Sequence, residues 1–290
     1  MNFKKTLILI FISGILIANI FAWQKVFALC DDNLKVYFLD VGQGDSEFIQ
    51  TPDNRQIIID GGPGSAVLEK IFKLMGFFDR KIDIVILSHP DLDHMQGLIE
   101  ILKKYKANYI IQAGAEKESE DFLAWQKVLS RQKSLGAKII NVKAGDVIKV
   151  GHINLEILFP LENLSGQKIK KYSNEACVVV KLYYGRKCFL FTGDIGEKTE
   201  REIIKSNQNI DCDILKVAHH GSKYSTSEEF LQSLSPEIAI IEVGKNSYGH
   251  PTQEVLQRLE KFDIKVLRTD ISGDIKIVSD GNNLKLKTQK

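Results

Sequence analysis

Cysteine pairs at metal-binding spacing are missing from this chain. Its four cysteines, Cys30, Cys177, Cys188 and Cys212, form no Cys-x-x-Cys unit, which excludes a zinc-finger or a dithiol redox motif. Cys177, Cys188 and Cys212 lie in strand-like apolar runs, where a buried thiol acts as a small hydrophobe. A disulfide is open to them outside the cytoplasm, but the spacing selects no pairing. Charge of one sign is lacking too. Lys and Arg number 39 against 37 Asp and Glu, a formal net charge of +2. That excludes a domain built to coat nucleic acid by bulk charge, and leaves only local patches. Gly61-Gly62-Pro63-Gly64 lacks the Lys-Ser/Thr of a phosphate-binding Walker loop, and no Ser-His-Asp arrangement offers nucleophilic catalysis. No internal repeat, low-complexity tract or Pro/Gly-rich linker divides Leu34 to Lys287.

One long apolar run is present. Lys4 and Lys5 precede Thr6 to Trp23, the pattern of a secretory signal peptide or signal-anchor helix over residues 1–28. The run is close to the minimum for crossing a bilayer, and its flanking charge predicts N-in, C-out. Membrane contact is therefore expected through this segment, with the remainder extracytoplasmic, anchored or secreted. Val26-Phe27-Ala28 offers a cleavage point after Ala28. From Leu34 onward short β-branched runs alternate with amphipathic helical stretches: strands at 34–40, 45–50, 56–60, 82–87, 108–112 and 137–142, then 147–150, 154–159, 177–183, 188–192, 214–218, 238–243 and 264–267. Helices are predicted at 65–75, 95–105, 121–134, 197–205, 227–234 and 252–261. Two β-rich halves with interspersed helices imply an α/β fold: two packed mixed sheets flanked by helices, one domain over 34–287.

The histidines and acids cluster at strand ends. Strand 56–60 ends in Asp60. Strand 82–87 runs into Ser88-His89-Pro90-Asp91-Leu92-Asp93-His94, strand 188–192 into Gly193-Asp194, strand 214–218 into His219-His220-Gly221-Ser222, and strand 238–243 leads to His250-Pro251. Ligands bind outside the carboxyl ends of strands in open α/β folds, so these groups can converge on one rim. Of six histidines only His152 stands apart. Histidine and carboxylate without cysteine suit Zn²⁺, and the extra carboxylate keeps Mn²⁺ open. The bland alternative for Asp91 or Asp93 is a helix cap; for His250 it is a histidine held in a Gly-Pro turn. Gly42, Gly44 and Asp45 allow either a close backbone approach to the site or a tight turn.

The His-x-Asp-x-Asp-His loop, Thr192-Gly193-Asp194 and Asp60-Gly61-Gly62 resemble the metallo-β-lactamase fold superfamily, and so imply its αββα sandwich. Phe38-Leu39-Asp40-Val41-Gly42-Gln43-Gly44-Asp45-Ser46, Asn174-Glu175-Ala176-Cys177, Val217-Ala218-His219-His220-Gly221-Ser222 and Tyr248-Gly249-His250-Pro251 resemble, more narrowly, the extracytoplasmic hydrolase domain of ComEC-type competence proteins. The many membrane spans of that family are not in this sequence. The resemblance implies two divalent ions, Zn²⁺ or Mn²⁺: His89 and Asp91 on one, Asp93 and His94 on the other with one of the pair His219 and His220, His220 being preferred, to complete its shell, and Asp194 bridging. Asn174 stands where many relatives supply a further histidine. Asp93, His219 and His250 are the implied catalytic side chains, His219 orienting a neighbour or touching substrate and His250 donating a proton or meeting a phosphate. Asp60 would support a ligand imidazole; Asp45, Asn174, Ser222 and Lys223 would support the ligands or meet substrate. The expected reaction is hydrolysis of a phosphodiester by a metal-bound hydroxide, with DNA the expected substrate and Lys168, Lys170, Lys171 and Lys223 candidate polyanion contacts. A membrane channel partner in DNA uptake is a further expectation. The alternatives are a cell-envelope phosphoesterase acting on a small headgroup and a non-catalytic, metal-stabilised nucleic-acid-binding module.

Overall fold

The computed structural model describes residues 3–29, 32–76, 79–169, 173–206 and 208–290. Helix α1 (Phe3–Leu29) comes first, and none of its side chains from Lys4 to Phe21 is buried. That stretch is long and apolar enough to cross a membrane. The first sheet then takes β1 (Leu34–Phe38), β2 (Glu47–Gln50), β3 (Gln56–Ile59), β4 (Lys81–Ile86), β5 (Lys106–Gln112) and β6 (Lys138–Asn141). Helices α2 (Ala66–Met75), α3 (Leu92–Lys104) and α4 (Glu120–Ser134) connect its last four strands. Those four run parallel, as crossovers through helices require.

The second sheet repeats the plan, antiparallel strands first and parallel strands after. The antiparallel strands β7 (Val147–Val150), β8 (Ile153–Phe159), β9 (Val179–Tyr184) and β10 (Lys187–Phe191) precede the parallel strands β11 (Ile214–Lys216), β12 (Ile238–Ile241) and β13 (Lys265–Arg268). Helices α5 (Glu197–Lys205), α6 (Glu228–Leu234) and α7 (Gln253–Lys261) connect β10 to β13. A short turn, α8 (Thr269–Ser272), then returns the chain to the first sheet. There β14 (Ile275–Ser279) pairs with β1, and β15 (Leu284–Thr288) forms the edge. These two strands lie beyond the run at 264–267 where the sequence reading ends its strands, although Ile275-Lys276-Ile277 alternates as a half-buried strand should.

Side-chain alternation builds three layers of core. Ile57 and Ile59 face the second sheet and meet Ile157, Val180 and Phe191 across it, whereas Ile58 points outward to the helices. Each aliphatic side chain fully buried in this way contributes about 1.5–3 kcal/mol. Met95, Leu98, Ile99, Ile101 and Leu102 seat α3 on the outer face of the first sheet; Ile203, Phe230, Leu231 and Leu259 do the same for α5, α6 and α7 on the second. The αββα sandwich expected from the sequence is the observed architecture.

One cysteine reading needs correcting. Cys188 and Cys212, expected as buried thiols, are joined in a disulfide, because the parallel pairing of β10 with β11 sets the start of one beside the approach to the other. Cys177 is free and buried, as expected.

Candidate metal centre

Five parallel strands, β3, β4, β10, β11 and β12, carry the candidate residues on the loops that leave their carboxyl ends. The loop after β4 is the densest. Asp91 takes the N-cap position of α3 with extended backbone, yet its carboxylate makes no capping bond. It contacts Lys117 Nζ on one oxygen and lies 3.5 Å from His89 Nε2 on the other. Helix capping therefore does not explain this residue.

Asp93, His94, Asp194 and His220 bring one ligand atom each to within 4.8 Å of one another. The two histidines are held alike. His94 donates from Nδ1 to Asp60 Oδ2 at 2.7 Å, which leaves Nε2 turned toward Asp194 Oδ1 at 3.4 Å. His220 donates from Nδ1 to the Glu242 carbonyl at 2.9 Å, and its Nε2 lies 3.3 Å from Asp93 and 3.6 Å from Asp194. Fixing Nδ1–H selects the ring nitrogen that stays free to ligate. Asp60 is itself pinned by Ser88, whose N–H donates at 2.8 Å and whose hydroxyl donates to the other oxygen.

The donor set fits a divalent cation. His89 Nε2, His94 Nε2 and Asp194 Oδ1 are buried without a hydrogen-bond partner among the described residues, a costly arrangement unless something else meets them. The electrostatics agree. Burial disfavours an imidazolium, but Asp194 and Asp45 outweigh it and lift His220 to about 10; Asp194, Asp45 and Asp60 likewise hold His94 well above the ordinary range. Burial would raise Asp194, and His220 and His94 instead hold it well below the usual carboxylate range. Such a site prefers positive charge at its centre.

The histidine pair departs from strand geometry. An extended continuation of strand 214–218 would send the adjacent side chains of His219 and His220 to opposite faces. Both residues are in the left-handed region, φ 51° and 53°, within a tight turn at Ala218–Gly221. The rings still diverge, 6.2 Å apart and 75° between planes. His220 is buried; His219 opens to solvent with Nε2 3.7 Å from Asp194, and meets the His250 ring edge-on at 5.6 Å. Burial lowers both His219 and His250 below the ordinary imidazole range, and the neighbouring histidines add to this. His250 is placed by Asn246, which accepts from its N–H and donates to its carbonyl.

The remaining candidates divide. Asp45 is buried between His220 Nδ1 at 3.2 Å and His94 Nδ1 at 3.6 Å. Gly44 is a close-approach glycine, because a Cβ there would fall 2.3 Å from the Asp93 carbonyl. Asn174 turns its amide to the Asp194 carbonyl, 2.9 Å, and so presents a donor to the loop. Ser222 shapes the histidine turn, donating its N–H to the His219 carbonyl at 2.9 Å. Lys223 sits over the Tyr224 ring at 5.1 Å. Lys168 is paired with Glu118 at 2.7 Å, while Lys170 and Lys171 lie outside the described residues. His152, the sixth histidine, is exposed in the β7–β8 turn.

Sequence reasoning missed a buried charged base under the centre. Lys216, fully buried at the end of β11, contacts Asp45 and donates to the Gly193 carbonyl at 3.2 Å. Glu47 and Glu242 lie in the same buried group; Glu242 accepts from Ser46 N–H at 3.1 Å, and burial with Asp45 nearby raises it to about 8. The signal was present: a lysine and a glutamate each interrupt an otherwise apolar central strand run, Ile214-Leu215-Lys216-Val217 and Ile240-Ile241-Glu242-Val243.

The metallo-beta-lactamase superfamily profile matches residues 39–244. The chain belongs to that superfamily. It is 33% identical to ComE operon protein 3 of Bacillus subtilis over 293 aligned residues, covering 94% of this chain and 36% of that protein. Competence protein ComA of Neisseria gonorrhoeae is 29% identical, covering 85% of this chain and 32% of that protein. The chain thus spans about a third of the length of these relatives. Among solved structures, the metallo-beta-lactamase fold protein YhfI from Bacillus subtilis aligns with a TM-score of 0.54 at 13% identity, over 84% of this chain and 99% of that one, a likeness of fold. The chain is thus a metallo-β-lactamase superfamily member related in sequence to competence proteins, with a residue group that could hold a metal ion.

Proposed function

We propose that this protein is a phosphodiesterase acting on nucleic acid at an extracytoplasmic rim, in a process linked to DNA uptake. The carrying observation is the Asp93, His94, Asp194 and His220 quartet, with both histidine Nδ1 atoms tied and both Nε2 atoms convergent. A divalent ion held there, Zn²⁺ or Mn²⁺, would acidify water and offset charge on a phosphoryl group, and a second ion at His89 and Asp91 would share that task. The chain's own residues do the rest. Asp60, the Glu242 carbonyl and Asp45 keep the ligand imidazoles from rotating. Asp93, 37% exposed, is the quartet carboxylate open to an incoming water and is suited to take its proton. His219 and His250, held below the ordinary imidazole range, stand neutral at the mouth. Either can donate its ring N–H in a hydrogen bond to a phosphoryl oxygen.

A nucleic-acid substrate is supported by the mouth as well as by the similarity to competence proteins. Tyr248, 73% exposed, lies 5.8 Å from the His250 ring, and Tyr224, 69% exposed, carries Lys223 over its face. Exposed aromatic rings beside cations suit stacked bases and their phosphates. Helix α1 is compatible with an anchored or secreted protein, and a membrane channel partner would complete the uptake reading.

Purified protein loaded with Mn²⁺ or Zn²⁺ should hydrolyse bis(p-nitrophenyl) phosphate and cleave DNA. Turnover confined to small headgroup phosphoesters would favour an envelope phosphoesterase. Metal binding and DNA binding without any turnover would replace the enzyme by a metal-stabilised binding module.

A further inference from the structure

Around Asp91 the two halves of the centre differ in a way the family pattern does not explain. The quartet half gathers four ligands, three of them buried. The other half offers His89 and Asp91, with Asp194 to share. Its third expected ligand position holds Asn174, a neutral amide whose nitrogen is engaged in donating to the Asp194 carbonyl. Asp91 itself is engaged by an ammonium: Lys117 Nζ contacts Oδ1 and lies 3.5 Å from the Pro90 carbonyl. Lys117 reaches in from the loop after β5, the next strand end along the sheet, and is 35% exposed, so it has room to swing into solvent.

We propose that Lys117 is an internal competitor for the second metal: its ammonium on Asp91 Oδ1 offsets the carboxylate's charge and opposes a second cation, while Oδ2 stays turned to His89. The centre then loads in two unequal steps, a tight ion at the quartet and a weak one at His89 and Asp91. Occupancy of the second position follows the divalent-ion concentration outside the cell. The inference rests on the metal-binding part of the reading above, though not on its substrate. Lys117 is a positioning residue for the metal and touches no reacting atom. The structural basis is a cation of the protein's own seated on the carboxylate that a metal needs.

The test is Mn²⁺ binding to the full chain, followed by calorimetry and native mass spectrometry. Wild type should take one ion tightly and a second at least about tenfold more weakly. K117M should tighten the second ion about three- to fivefold, the scale of one partly exposed ion pair, and leave the first unchanged. K117R, which keeps the charge, should behave as wild type, and a circular dichroism melt should show all three folded. Two equal tight ions in the wild type, or an unchanged second step in K117M, would overturn the proposal. So would a chain that binds no ion, which would remove the metal reading with it. Two-step loading in a protein inactive on every phosphoester would uphold this inference and sink the phosphodiesterase reading alone.

Discussion

The two rims of the sandwich handle charge in opposite ways. At the carboxyl ends of the parallel strands, Asp45, Asp60, His89, His94, Asp194, Lys216 and His220 are all buried within one neighbourhood. At the starts of the same strands, Arg55 pairs with Asp83 at 3.2 Å and Lys187 contacts Asp213, each with at least one side chain reaching solvent and with the Cys188–Cys212 disulfide beside the second pair. Burying charge costs several kcal/mol per ion and returns it only when partners are complete, whereas partly exposed pairs cost and return little. A fold selected for stability alone would use the second arrangement at both ends. The asymmetry marks the first rim as the one kept for chemistry.

The largest effect should follow from emptying the functional rim of its ligands. Asp93→Ala and Asp194→Ala are expected to abolish phosphodiester turnover and weaken Mn²⁺ binding by more than about 100-fold, read by calorimetry. Retained tight binding in Asp194→Ala would mean that the quartet is a buried ion-pair cluster and no ligand set. Next comes Lys216→Met, which leaves Asp45 buried without its main counter-charge. We expect a loss of about 3–5 kcal/mol in chemical denaturation, largely restored when Asp45→Asn is added. Lys187→Met at the other rim should cost about 1 kcal/mol. Equal losses at the two rims would erase the distinction. Asp60→Asn sits between these two: it should lower metal affinity by about 10–100-fold while the fold persists.

How far the sequence carries such a comparison depends on which kind of residue is asked about. The sandwich was readable because short β-branched runs such as Ile57-Ile58-Ile59 and helical runs such as Met95 to Leu102 each obey one local rule. The metal loop was readable because His89, Asp91, Asp93 and His94 are close in the chain. Lys117 and Lys216 were not, because a single charged residue acquires meaning only from partners far away: Lys216 contacts Asp45 across 171 positions and Lys117 contacts Asp91 across 26. The same limit applied to Cys188 and Cys212, whose proximity follows from strand pairing. The left-handed backbone of His219 and His220 was unreadable for a different reason. Two successive left-handed residues other than glycine are rare enough that no propensity points to them; here the turn is held by the Ser222 N–H on the His219 carbonyl and by the His219 N–H on the Gly193 carbonyl.

A pH series probes the same contrast more gently. In the metal-free protein His220 is raised from 6.5 to about 10, chiefly by Asp194 and Asp45 against the opposing cost of burial. A raised folded-state value means that this stabilisation is complete below the unfolded value of 6.5 and is lost as pH climbs through about 10. Glu242, raised by burial and Asp45 to about 8, loses stability in the same direction as pH rises from its ordinary 4.5. The melting temperature of the metal-free protein should therefore fall from pH 6.5 toward pH 10. Metal affinity should rise over the same interval, because the ligand imidazoles must lose their protons to bind. A metal-free melting temperature that rises with pH would contradict the arrangement of charge described for this rim.

The smallest effect is expected where the sequence first suggested nothing at all. Arg55, 56% exposed, meets Asp83 at 3.2 Å, and Asp83 also accepts from Gln56 N–H and from Asn108. Arg55→Ala removes one of three donors to a carboxylate that water can reach, so the remaining two keep it satisfied. Stability should drop by no more than about 0.5–1 kcal/mol and become indistinguishable from wild type in high salt, since the pair is screened. Metal affinity and turnover should not move. A change in either would show that the two ends of the sandwich are coupled through β3 and β4, the strands that run from Asp83 and Gln56 to Asp60 and His89.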